Sequence, residues 1–520
     1  VGRVSMSSRP AARLLALALV TIVVGSVIYF ASQASTDGRV SRSPRRPDGI
    51  AAGAKALTVE QATVGRTIPA GFVGLTTEYR GLEAYAGLDP QALDPVFVQL
   101  IRNLAPDQSP VLRIGGDSTD WTWWPTPGVA RPGGVKYDLT ANWLQVAHAL
   151  AQTLDAHLIL GINFEADSGR VAAAEAHALI DGIGRARISA LELGNEPELY
   201  GSFSWYKAPD GQHVNGRPPT YDYADFVRDF GNIARSLPRS VTLAGPSMGS
   251  SVWIPLLGQF LSGNPRVRLA TLHRYPLKHC SAATPVTIAD VLSDAASTGL
   301  AATVANAVAI SHVRGIGLRV DEMSAISCGG MAGVSDSFAS ALWSLDTLFA
   351  MARVGVDGVN VQTEPGSLNE LFAVNAANGA WQADVHPAYY GLMMFAQAAP
   401  PGSRLLALSG APGEGVNAWA TRAPNGDVRV VLINNATAHG RVVAVRIPFL
   451  GGPATLERLQ ASSPHAENGV TLGGQGFGTA TATGLLAGTP DATSVEPSAG
   501  GSYVVSLPAA SAAMLTLPPR

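Results

Sequence analysis

Eight times between residues 71 and 362, a short run of β-branched and aliphatic residues is followed by a longer stretch with helical spacing. Parallel strands cannot be joined by tight turns, so a chain that alternates in this way builds a parallel sheet with crossover helices. Strands are predicted at Gly71–Glu78, Val111–Gly115, His157–Asn163, Ile188–Leu193, Val241–Ala244, Ala270–Tyr275, Gly317–Met323 and Val356–Gln362. Helices are predicted between them, among them Leu139–Leu154, Tyr221–Leu237 and Ser335–Arg353, the last capped by Ser335 or Asp336. Eight such pairs over about 330 residues suit a (β/α)8 TIM barrel with insertions. An open doubly wound sheet fits less well, because no Gly-x-Gly-x-x-Gly turn follows the first strand.

The barrel domain is assigned to 56–400, and the rest of the chain flanks it. Residues 1–35 read as a signal peptide or membrane anchor: Arg9 and Arg13 precede an uncharged, largely apolar run over 14–31, and small residues follow at Ser32, Ala34 and Ser35. That run is long for a cleaved signal and just long enough to cross a bilayer. Cleavage after Ala34 and retention as an anchor both stand, and either exports the chain, as a secreted protein or one held on the outer face of the membrane. Residues 36–55 are a linker rich in Ser, Arg, Pro and Gly. Over 401–520 the pattern changes to short strands between Gly, Pro and Asn, such as Val428–Asn434, Arg441–Ile447 and Ser502–Leu507, which predicts an all-β sandwich. Residues 56–66 can add a strand to it. A net charge of −3 supplies no basic excess to neutralise phosphates, which argues against nucleic acid as a partner. Two cysteines without a Cys-x-x-Cys spacing are too few for a zinc site and wrong for a redox motif.

In a barrel of this kind chemistry gathers at the C-terminal ends of the strands. The fourth predicted strand ends in Leu193-Gly194-Asn195-Glu196-Pro197 and the seventh in Val320-Asp321-Glu322-Met323-Ser324, each with a carboxylate directly after a buried run. Two carboxylates on separate strands can converge across the mouth. Retaining glycoside hydrolysis needs such a pair about 5 Å apart, one to attack the anomeric carbon and one to protonate the leaving oxygen. Asn195 can donate to a sugar 2-hydroxyl, and His273 and Tyr275, two apart at the end of the sixth strand, can hold the nucleophile's carboxylate. Asp120 and Asp321 compete for these roles; Asp321 is expected on the opposite face of its strand from Glu322, as a structural partner. Trp121, Trp123 and Trp124 offer a stacking wall for a sugar ring or pack beneath the loop.

These segments resemble glycoside hydrolase family 79, the β-glucuronidases and heparanase, within the clan of retaining (β/α)8 glycosidases. The likeness runs from about Ala56 to the C-terminus. It rests on Phe72-Val73-Gly74-Leu75-Thr76-Thr77-Glu78, on Leu112-Arg113-Ile114-Gly115-Gly116-Asp117-Ser118-Thr119-Asp120, on Leu193 to Pro197, on His273-Arg274-Tyr275 and on Glu322 through Gly330. Asn-Glu-Pro is common to the clan; the stretch from Arg113 to Asp120 is more particular to the family. The resemblance implies Glu196 as acid/base and Glu322 as nucleophile, without metal or cofactor, acting on a β-linked glucuronide. It implies that Glu78, Asp117, Asn195 and Tyr275 contact the sugar, and that Ser327, Cys328, Gly329 and Gly330 lie beside its C6 group. Small residues there let backbone N–H groups approach an anion.

One departure weakens the glucuronate specificity. Family members that bind glucuronate place a Tyr five residues after the nucleophile, and this chain has Ser327. A neutral β-glucoside or xyloside is therefore the alternative substrate, and Arg274 or Lys278 the alternative cation for a uronate. A non-catalytic glycan-binding protein of the cell surface is a further alternative. Cys280 and Cys328 follow neighbouring strands on the same rim, so a disulfide between them would pin the substrate loop.

Overall fold

The computed structural model describes residues 55–281, 285–377 and 379–519. The predicted leader and nearly all of the linker lie outside these residues, and no described helix is long and apolar enough to cross a membrane. Eight parallel strands close into a barrel: Val73–Glu78, Val111–Gly115, His157–Ile162, Ile188–Leu193, Leu243–Met248, Val267–Arg274, Gly317–Met323 and Gly358–Gln362. The alternation predicted this architecture. The fifth strand departs most from its predicted span. It runs on past Ala244 because Gly245 and Pro246 stay in register with Ala270 and Thr271 of the sixth strand.

The helices report their surroundings through their composition. Tyr223–Ser236 is amphipathic, buries Phe226, Phe230 and Ile233, and starts with a capping box between Asp222 and Asp225. Phe338–Val354 is different, because every residue from Phe338 to Ala352 is buried. Its faces are covered by the barrel and by the C-terminal domain. Asp346 lies in that helix, where an unpaired acid would be costly, and accepts from Trp419 Nε1 and Asn417 Nδ2, each at 2.7 Å. Phe349 stacks on Trp419 with ring centres 5.6 Å apart. The helix begins later than predicted: Ser337 occupies the N-cap position without a side-chain bond, and Ser335 instead accepts from the Met331 amide.

The C-terminal domain is one hydrogen-bonded sheet of ten strands. The strand Lys55–Thr67 inserts between Arg404–Gly410, antiparallel, and Arg441–Arg446, parallel. Leu456 near one end of the sheet and Tyr503 and Val505 at the other share a single apolar cluster with Leu57, Val430 and Val445. The sheet therefore folds over on itself as a sandwich.

Candidate active site

Arg113, midway along the second strand, is fully buried. A guanidinium there has no water to solvate it and must meet anions or acceptors. Its Nε donates to Glu192 at 2.9 Å, with the Asp321 carboxylate 3.7 Å away, and its Nη1 donates to Glu322 at 2.6 Å. Nη2 donates to Asn195 Oδ1 at 3.0 Å, with His273 Nε2 at 3.2 Å. One side chain thus ties together the second, fourth, sixth and seventh strands. The sequence motif that carries the family likeness contains Arg113 without marking a role for it. Its signal in the sequence was a charge in the middle of Val-Leu-Arg-Ile-Gly, a run too apolar to leave it in water.

Glu322 accepts from Tyr275 OH at 2.7 Å as well as from Arg113. Burial alone would raise its pKa. The charges of His273 and Arg113 and the Tyr275 hydrogen bond outweigh it and hold the carboxyl below its ordinary range. His273 is pushed up to about 9: burial opposes its charge, but Glu322 favours it, helped by the bond to Glu196 and by Asp321. Glu192 is likewise held down against burial by Arg113, whereas burial and the Glu192 charge push Asp321 well up. Two cations, Arg113 and His273, thus face the carboxylates of Glu192 and Glu322, while burial and the Glu192 charge disfavour ionisation of Asp321.

Two expectations are corrected by one local irregularity. The sixth and seventh strands pair Leu272 with Val320 and next His273 with Glu322, which leaves Asp321 as an extra residue. A bulge of this kind re-aims side chains. Asp321 does not turn to the opposite face; it lies 3.8 Å from His273 Nε2 and joins Glu322 beside Arg113. His273 in turn is closer to the other carboxylate: its Nδ1 lies 3.0 Å from Glu196 Oε1 and 3.8 Å from Glu322. Tyr275 alone of the pair makes a direct hydrogen bond to Glu322.

Glu196 sits beyond the fourth strand in the left-handed region, φ 48°, and its side chain is 22% exposed. A carboxylate oxygen of Glu196 and one of Glu322 lie within 4.8 Å of each other and of His273. Glu192, His273 and Asp321 form a second cluster of this spacing. Both clusters adjoin Arg113, which already supplies the positive charge a metal would bring. Asn195 is committed on both sides, accepting from Arg113 and donating from Nδ2 to Asp117 at 3.2 Å. Asp120, a competitor for catalysis, is instead a strut: its carboxylate accepts from the amides of Phe164, Glu165 and Asn195 and from Tyr200 OH.

Glu78 closes the first strand and accepts from the amides of Asp117 and Ser118. Burial and the adjacent Asp117 raise it to about 8, and burial with the charges of Glu322 and Glu196 raises Asp117 to about 7. Glu78 thus carries a proton at neutral pH and can donate it to a hydroxyl. Gly116 makes the contact possible, because at φ 67° a Cβ there would lie 2.2 Å from Glu78 Oε1. Glu165, beyond the third strand, is a further buried acid of this mouth that the sequence did not single out. Burial and Asp120 raise it to about 9.

On the far rim, Leu277–Lys278 pairs in parallel with Ile326–Ser327, Lys278 opposite Ser327. Cys280 and Cys328 are joined by a disulfide immediately beyond this pair. Gly329 is propped from the eighth strand's loop, its carbonyl accepting from the Leu368 amide. Of the two alternative cations, Lys278 is exposed beside Ser327. Arg274 is buried and bonds the carbonyls of Gly249 and His273, on the Glu196 side. Trp123 packs with Val135 and Val171, and Trp124 packs against the main core. Trp121, half-buried, lies under Lys136 Nζ, 3.1 Å from its ring centre.

The fold is a (β/α)8 barrel with an acidic mouth, and with the comparisons that follow it supports a glycoside hydrolase. More particularly, residues 418–514 match the glycosyl hydrolase family 79 C-terminal beta domain, so the chain carries that family's trailing domain behind its barrel, in line with the resemblance of the barrel motifs. Among solved structures, a 4-O-α-L-rhamnosyl-β-D-glucuronidase from Fusarium oxysporum aligns with a TM-score of 0.67 and 19% identity, over 88% of this chain and 100% of its own. A GH51 arabinofuranosidase from Xanthomonas axonopodis pv. citri gives 0.63 and 15%, over 89% and 99%. An α-L-arabinofuranosidase from Thermotoga maritima gives 0.59 and 13%, over 90% and 100%. At these identities the likeness is one of fold. No curated protein matches the chain.

Proposed function

We propose that the protein is a retaining β-glycosidase acting on β-linked glucuronides, with Glu322 as nucleophile and Glu196 as acid/base. The observation that carries the reading is the approach of the two carboxylates to within 4.8 Å. Retaining pairs stand about 5–5.5 Å apart, whereas inverting pairs leave about 6.5–9.5 Å for a water. Their surroundings agree: Glu322 is kept ionised by Arg113, His273 and Tyr275, ready to attack the anomeric carbon. Glu196, on the open side, protonates the departing oxygen and then takes a proton from the incoming water. Protonated Glu78, with Asp117 and Asn195, binds the sugar hydroxyls. Lys278 beside Ser327 supports a uronate carboxylate at the Ser327–Gly330 loop despite the missing Tyr. Export of the chain is part of the proposal, and the Cys280–Cys328 disulfide supports it, since disulfides persist in oxidising compartments.

The test is mass spectrometry after exposure to a 2-fluoro-glucuronosyl fluoride. A covalent label on Glu322 is expected. Labelling by the 2-fluoro-glucosyl fluoride alone would keep the mechanism and transfer the specificity to neutral sugars. Hydrolysis of β-glycosides with unchanged rate after Glu322→Gln would overturn the assignment.

A further inference from the structure

We infer that Arg274 is a positioning residue for the acid/base, acting through the turn at Gly249 and Ser250; the inference rests on the role proposed above for Glu196. Arg274 closes the sixth strand and is 5% exposed. Its Nη1 donates to the Gly249 carbonyl at 3.3 Å, while Nη2 is buried without a partner. Burial lowers its pKa to about 10, against the supporting charges of Glu198 and Glu196, so it stays cationic at neutral pH. A buried cation with an idle nitrogen is a poor stabiliser by itself. What it holds gives it a use.

A Cβ on Gly249 would lie 2.0 Å from Glu196 Oε1 and 2.8 Å from Oε2. The Glu196 carboxylate therefore rests directly on the Gly249 backbone, in space that any other residue would fill. The next amide, Ser250 N, donates to Glu198 Oε1 at 2.5 Å. The turn beyond the fifth strand is thus gripped from the sixth strand by Arg274 and from the fourth-strand loop by Glu198. His273 Nδ1 meets Glu196 Oε1 at 3.0 Å. Glu196 stands on a turn past the end of its strand, its backbone held to the fifth strand by one bond from its amide to the Ser247 carbonyl at 2.9 Å, and its side chain is left to the turn and His273 to orient. Protonation of the leaving oxygen needs its carboxyl within hydrogen-bond reach of that oxygen. Loosening the turn should damage the acid-dependent step and little else.

The test compares kcat/KM for two glycosides of whichever sugar labels the wild-type enzyme, one with a dinitrophenyl leaving group that needs no protonation and one with an alkyl leaving group that does. Arg274→Gln and Gly249→Ala are expected to lose about 10- to 100-fold on the alkyl glycoside and under about threefold on the dinitrophenyl glycoside. Arg274→Lys should fall between, since an ammonium can still reach one carbonyl. Labelling by the 2-fluoro-glycosyl fluoride, whose leaving group needs no acid, reports whether each variant keeps its fold and nucleophile. Labelled variants that lose equally on both substrates, or lose nothing on either, overturn the inference. Should Arg274→Gln not fold, Arg274→Lys, which keeps the charge, decides by the same comparison. Failure to label the wild-type enzyme would count against the proposed function instead.

Discussion

The two carboxylates at the barrel mouth are the same residue type in opposite settings. Glu322 ends a strand, is 9% exposed along its side chain and is bonded by a buried arginine and a tyrosine. Glu196 lies past the end of its strand in a left-handed turn, is 22% exposed along its side chain and meets one imidazole nitrogen. The difference suits the two tasks proposed for them. A nucleophile has to stay ionised and fixed, which strand pairing and cations accomplish. An acid/base has to trade protons with a leaving group and then with water, which requires an open side and a seat built from loops.

The comparison breaks if the two positions respond alike. Glu322→Gln removes the attacking group, so turnover should fall on the order of 10⁴-fold or more whatever the leaving group. Glu196→Gln should lower kcat/KM by about 10²- to 10⁴-fold on alkyl glycosides and far less on dinitrophenyl glycosides. Added azide should restore part of the turnover of Glu196→Gln by attacking the glycosyl-enzyme from the open side. Equal losses on both substrates at Glu196 would remove it from the acid role. Tyr275→Phe sharpens the Glu322 half: it removes one hydrogen bond to a charged oxygen, so kcat/KM should drop about tenfold for both leaving groups. A loss confined to alkyl glycosides would show that Tyr275 serves the acid.

Much of this geometry is legible in the sequence because strand ends are. Glu78, Asn195, Glu196 and Glu322 each lie within three residues of the end of an apolar run, and a closed parallel barrel has only one place to put such residues. What is not legible depends on departures from strand period. The extra residue in the seventh strand turns Asp321 toward Arg113 and shifts His273 toward Glu196, and nothing in Val320-Asp321-Glu322 marks it. Arg274 is similar: its position beside a conspicuous His and Tyr reads as a rim cation, and only the turn at Gly249 shows what it holds. The long buried helix Phe338–Val354 was legible as a helix, but its full burial reflects the docking of a second domain, which periodicity does not report.

The smallest expected effect tests the charge balance beneath Glu322. Asp321 is raised well above its ordinary value by burial and by Glu192, so its folded form keeps a proton that the unfolded chain releases once the pH passes the carboxylate range. Where the folded state binds more protons than the unfolded state, stability falls as pH rises, up to the folded pKa. Asp321→Asn keeps the shape, the neutrality and a donor toward Glu192, and it deletes the proton-linked term. Its kcat/KM at neutral pH should stay within about threefold of wild type, as for a substitution that removes neither volume nor charge. Its Tm should match wild type below the carboxylate range and exceed it increasingly as the pH rises above that range. A large loss of activity with no change in the pH dependence of Tm would mean that Asp321 is ionised in the folded state. The carboxylates around Arg113 would then outnumber its cationic partners, and the contrast between a fixed, charge-balanced nucleophile and a loop-seated acid would have to be redrawn.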